Sequence, residues 1–151
     1  EDGKADGRSG ARGKIEADHM NAFYIHAGGV TTGFLLLAAG FVIVKFFRQK
    51  RWWLKHHRAA GYAGAFCFLG GLAAAVAMVA QSGEAHLKPP HAWLGVSTIA
   101  MVVATPVIGQ MQFKIRARIQ QLRSMHRWLG RTTLALAVLT LLSGLRTAGV
   151  I

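Results

Sequence analysis

A chain of 151 residues is long enough for one domain, and 52% of it is hydrophobic while only 16% is charged. Soluble domains carry about a quarter of their residues charged, which excludes an ordinary water-soluble fold. A formal net charge of +12 would suit nucleic acid, but twelve of the eighteen Lys and Arg fall in two short stretches between apolar runs, a placement that argues for a membrane and against nucleic acid.

Residues 1–22 are polar, with Gly3, Gly7, Gly10 and Gly13 among them, and read as a disordered tail or linker. They lack the apolar core of a signal peptide. A transmembrane helix needs about 20 mostly apolar residues, and residues 23–147 contain four such runs. The first goes from about Tyr24 to Phe47, the second from Ala59 to Ala80, the third from His91 to Met111 and the fourth from Trp128 to Leu145. The expected fold class is therefore an all-α integral membrane protein, a four-helix transmembrane bundle. Pro106 lies inside the third run, and Trp52, Trp53, Trp93 and Trp128 lie near run ends, where aromatic belts form.

The basic stretches set an orientation. Lys45, Arg48, Lys50, Arg51, Lys55 and Arg58 fill the first connection, and Lys114, Arg116, Arg118, Arg123, Arg127 and Arg131 fill the third. Under the positive-inside rule these loops, 45–58 and 114–131, face the cytoplasm, matrix or stroma. Both termini and the Glu84–Pro90 connection then face the other side.

Four of the seven histidines, His26, His57, His91 and His126, each lie near the amino-terminal end of their own run. Alternating topology puts His26 and His91 near the outer face and His57 and His126 near the inner one. Each pair comes from two helices that can stand diagonally in a bundle, the way bundles build cofactor sites. Two axial imidazoles on one iron make a six-coordinate haem suited to electron transfer. The chain is thus expected to bind two haems b. Cys67 is the single cysteine, so a thioether-linked haem is excluded.

Small residues follow each histidine at helical spacing: Gly61, Gly64 and Gly71 after His57, Gly95, Thr98, Thr105 and Gly109 after His91, Gly130, Thr133, Thr140 and Gly144 after His126, and Gly29, Gly33 and Gly40 after His26. Gly61, Gly95 and Gly130, one turn past their histidines, leave room for a flat macrocycle. The His-x-x-x-Gly spacing selects His57 over His56. His91-Ala-Trp-Leu-Gly95 also matches His126-Arg-Trp-Leu-Gly130 at a separation of 35 residues, an internal repeat. A metal transporter fits poorly, because the four runs hold no Asp or Glu and the histidines split between two faces.

Trp52 to Gly64, His91 to Gly95 and Met125 to Gly130 together resemble the cytochrome b561 family, including the b561 cores fused to DOMON modules. The resemblance covers about Phe23 to Arg146. It implies a core of four helices with one ligand histidine each, paired His26 with His91 and His57 with His126. It implies transmembrane electron transfer, with ascorbate a typical donor and monodehydroascorbate or ferric chelates typical acceptors. Quinol is a further candidate donor.

The basic cluster reads either as topology alone or as an attractor for an anionic donor, and Arg58 and Arg127 are also placed to pair with haem propionates. Electrons would enter at His57/His126 and leave near Glu84–Pro90. An enzymatic role would be that of a transmembrane oxidoreductase. The alternative is a haem-bearing or structural membrane-anchor subunit, surrounded by lipid and other subunits, in a larger respiratory or photosynthetic complex.

Overall fold

Backbone N–H and C=O groups in hydrocarbon must find partners within the chain, and a helix satisfies them locally. The computed structural model describes residues 3–83 and 90–151. It contains α1 (Gly3–Phe46), α2 (Trp53–Ser82), α3 (Pro90–Lys114), a short 3₁₀ turn at Arg116–Arg118, and α4 (Ile119–Thr147). All four helices are long and apolar enough to cross a membrane.

The helix boundaries differ from those the apolar runs suggested. α1 begins at Gly3 and not near Tyr24, so the polar segment expected to be disordered continues the helix. Its Ala, Lys, Arg and Glu residues are good helix formers, and they offset glycines that cost about 1 kcal/mol each. Only Ala17–Phe46 of α1 has the length and hydropathy of a span. α2 starts at Trp53 and α4 at Ile119, well before Ala59 and Trp128. The basic residues in these first turns lower hydropathy without opposing the helix. The Glu84–Pro90 connection lies almost wholly outside the described residues.

α1 packs chiefly on α2, and α3 on α4, while the two hairpins meet along α1–α4 and α2–α3 seams. The buried core joins Val30 of α1, Phe68 of α2, Val102 of α3 and Ala137 of α4. The hairpins close by different means. In α1–α2 small residues bring the backbones together: a Cβ on Gly33 would stand 3.0 Å from the Gly64 carbonyl oxygen, and one on Gly64 3.1 Å from that of Gly33. In α3–α4 buried hydroxyls form rungs, Thr98 to Thr140 at 2.7 Å and Thr105 to Thr133 at 3.0 Å. Small residues and cross-helix hydroxyls are the usual means of helix association in lipid, where the hydrophobic effect does not drive it.

Each hairpin has an internal two-fold relation. In α3–α4 a shift of 35 residues carries His91, Thr98, Thr105 and Gly109 onto His126, Thr133, Thr140 and Gly144. In α1–α2 a shift of 31 residues carries His26, Gly33, Leu37 and Gly40 onto His57, Gly64, Phe68 and Gly71. Contacts obey the same relation: the Gly33 position faces Phe68, and the Gly64 position faces Leu37.

Candidate haem-binding site

Each of the four singled-out histidines reaches across its own hairpin. His26 Nδ1 lies 2.9 Å from the Gly71 carbonyl oxygen, and His57 Nδ1 lies 3.0 Å from that of Gly40. His91 Nδ1 lies 3.1 Å from the Thr140 carbonyl oxygen, and His126 Nδ1 lies 2.9 Å from that of Thr105. A carbonyl only accepts, so in each bond Nδ1–H is the donor. This fixes the tautomer. The lone pair is left on Nε2, the arrangement found in metal-ligating histidines braced by an outer hydrogen bond.

The four rings meet in two pairs. His26 and His91 have ring centroids 6.1 Å apart with planes at 79°. His57 and His126 are 6.0 Å apart at 85°. Two metal–nitrogen bonds of about 2 Å plus the half-widths of two imidazoles make up a separation of this size. The pairs stand at opposite ends of the bundle. From His26 to Gly40, which holds His57, α1 rises about 21 Å at about 1.5 Å per residue.

Glycines make room for two of the rings. A Cβ on Gly144 would lie 2.9 Å from His91 Cε1, and one on Gly109 would lie 3.0 Å from His126 Cε1. Gly61, Gly95 and Gly130 do something else. A Cβ on Gly61 or Gly95 would meet nothing within 4 Å, and one on Gly130 would meet only a Thr105 methyl at 3.9 Å. They border open space one turn past the histidines. The tight positions, Gly109 and Gly144 for the rings and Gly33, Gly64 and Gly71 for the backbones, lie further along the same stripes.

His56 turns the other way. Its Nδ1 lies 3.0 Å from Trp52 O, one turn back on its own helix, and its exposed ring packs edge-on against Trp52. Arg58 faces α3, where it donates to Gln110 Oε1 at 3.1 Å and lies over the Phe113 ring at 5.5 Å. Arg127 is exposed.

The residues present fit two haem irons on one count of donors. Each level offers two imidazoles and, among the described residues, no group of three or more His, Cys, Asp or Glu converges. Two opposed nitrogens suit a metal whose remaining positions a macrocycle fills.

Four membrane-length helices carrying opposed, carbonyl-braced imidazoles define a membrane cytochrome. The family described as eukaryotic cytochrome b561 matches residues 25–149, and the chain belongs to it. Transmembrane electron transfer on b-type haem is the function of that family. No curated protein and no solved structure matches the chain.

Proposed function

We propose that the chain carries electrons across the bilayer through two b-type haems, one held by His26 and His91 and the other by His57 and His126. The observation that carries this reading is the set of four Nδ1–carbonyl hydrogen bonds, which leaves a bare Nε2 on each ring of the two facing pairs. Bound there, each haem would supply a one-electron couple at the iron. The protein's part is to fix ring tautomer and orientation and to place the two levels about 21 Å apart along the helix axis.

The basic connections lie at the His57/His126 end, which we assign to the cytoplasmic, matrix or stromal side, with both termini opposite. Gly61, Gly95 and Gly130 border the macrocycles. Arg127, exposed beside His126, is the candidate partner for a haem propionate. Arg58, also exposed, is the second candidate; it donates one N–H to Gln110 and lies over the Phe113 ring.

The test is a dithionite-minus-oxidised spectrum with a pyridine haemochrome count per chain. Two haems are expected, and His91→Ala and His57→Ala should each remove one. A chain that binds no haem after full reconstitution overturns the proposal. A single haem insensitive to one of these substitutions would favour the membrane-anchor reading.

A further inference from the structure

The two-fold relation within each hairpin makes the two histidine levels nearly equivalent. It carries His26 onto His57 and His91 onto His126, and so exchanges the α1–α4 seam with the α2–α3 seam. One polar cluster breaks the equivalence. On the α2–α3 seam Gln110 Oε1 accepts from Arg58 at 3.1 Å and from the Tyr62 hydroxyl at 3.4 Å. The corresponding positions on the α1–α4 seam are Ala27 for Arg58, Thr31 for Tyr62 and Leu145 for Gln110. A bundle needing only two haem sites would not require this cluster at one level alone.

The cluster edges a groove of about 310 Å³ lined by Tyr62, Pro106, Val107, Gln110, Met111 and Lys114. That volume is at the small end for organic-ligand sites, about 300–1,000 Å³. Tyr62 and Val107 are exposed along membrane-spanning helices, so the groove opens toward lipid, and Lys114 at the end of α3 marks its aqueous end. The same stretch of α3 serves His126: the Thr105 carbonyl, immediately before Pro106, accepts from His126 Nδ1, and Gly109, immediately before Gln110, admits its ring. A molecule in the groove is therefore within about one helix diameter, some 10 Å, of the His126 ring.

We propose that this groove binds the ring of a lipid-soluble quinol, the electron donor to the His57/His126 level; the proposal rests on the two-haem reading above. The chemistry of the lining selects that ligand. Pro106, Val107 and Met111 offer apolar walls to a substituted ring. Gln110 keeps two amide N–H donors, since only its oxygen is engaged among the described residues, and the Tyr62 oxygen can still accept. Being neighbours, they suit one hydroxyl of a quinol, which accepts from the amide and donates to the Tyr62 oxygen.

Oxidation breaks the two O–H bonds of the quinol and yields quinone, two electrons and two protons. A haem held by His57 and His126 would take up these electrons one at a time, in two turns per quinol. The protons pass to water at the Lys114 end, since among the described residues no carboxylate lines the groove.

The experiment uses haem-loaded protein in phosphatidylcholine vesicles. An azido-benzoquinone with a short alkyl tail is photolysed, and labelled peptides are mapped by mass spectrometry. Label on Tyr62 or within residues 106–114, displaced by decylubiquinol, is the expected result. In parallel, decylubiquinol should reduce the haem, and Gln110→Leu should slow this roughly tenfold, the factor for one lost hydrogen bond of about 1.4 kcal/mol. Val107→Trp, which fills the groove from the lipid side, should abolish the label. Haem count and reduction by ascorbate should stay as in the parent.

Haem-replete protein that is neither labelled there nor reduced by decylubiquinol overturns the proposal. So does equal slowing with ascorbate together with a shifted midpoint potential, which would assign the cluster to the haem itself. Protein without haem sinks the underlying two-haem reading, and it is recognised by its spectrum before any kinetics are run.

Discussion

The imidazole of His91 occupies the space that a side chain at Gly144 would take. A Cβ there would come within 2.9 Å of ring Cε1, and the two-fold mate repeats this at 3.0 Å between Gly109 and His126. The obstacle is a ring pinned by its bond to a backbone carbonyl, so it cannot swing aside without losing that bond. Gly144→Ala is therefore expected to remove or loosen the haem of the His26/His91 pair, and Gly109→Ala that of the His57/His126 pair. Each variant should keep its helical circular dichroism while its haemochrome count falls by one. Unchanged counts in both would show that the rings are not confined.

Close approach of α1 and α2 gives a second expectation. A Cβ at Gly33 would lie 2.7 Å from the Phe68 ring, which is 1% exposed, and 3.0 Å from the Gly64 carbonyl oxygen. Neither neighbour is the free end of a flexible chain. Overpacking of this kind typically costs about 1–3 kcal/mol. Gly33→Ala should lower the thermal midpoint in detergent clearly. Gly28→Ala, whose new methyl meets nothing within 4 Å, should not.

These two glycine classes mark how far the sequence could be read. Hydropathy shows four spans because lipid demands unbroken apolar length. It misplaces the starts of α2 and α4, because Lys55, Arg58 and Arg123 are hydrophilic yet helix-compatible. The 35-residue relation is visible in His-x-Trp-Leu-Gly. The 31-residue relation is fainter, since His26 and His57 share glycines seven and fourteen residues on but no longer motif. The histidine acceptors are backbone carbonyls of Gly40, Gly71, Thr105 and Thr140, and a carbonyl leaves no mark on residue identity. The Arg58–Gln110–Tyr62 cluster joins two helices distant in sequence, and only the packed bundle brings it together.

Thr98 and Thr140 are 1% and 4% exposed, and their hydroxyls are 2.7 Å apart. Each also donates to, or shares its proton with, a carbonyl one turn back, Leu94 and Leu136. Hydrogen bonds between membrane helices average about 0.6 kcal/mol, with about 1.7 the largest measured in one system. Thr98→Val and Thr140→Val should each destabilise the hairpin by an amount in that range. The double variant should cost less than the two single costs added, because no hydroxyl is left without its partner. A double-mutant cycle on steric-trap or denaturant unfolding in bicelles measures this, and strict additivity would mean that the rung carries no coupling.

The adjacent histidines His56 and His57 offer the sharpest contrast. Their side chains leave α2 about 100° apart, and only one direction points into the bundle. His57 crosses to the Gly40 carbonyl and faces His126, whereas His56 bonds its own helix at Trp52 and lies exposed. His56→Ala is expected to leave both haems in place, with unaltered midpoint potentials, and to lose only the hydrogen bond to Trp52 O and the edge-on contact with its ring. His57→Ala should remove one haem and leave the His26/His91 haem titrating as a single component. A haem lost in the His56 variant and kept in the His57 variant would exchange their roles. It would require α2 to turn by about that angle about its axis, breaking the Gly33–Gly64 contact that holds it against α1.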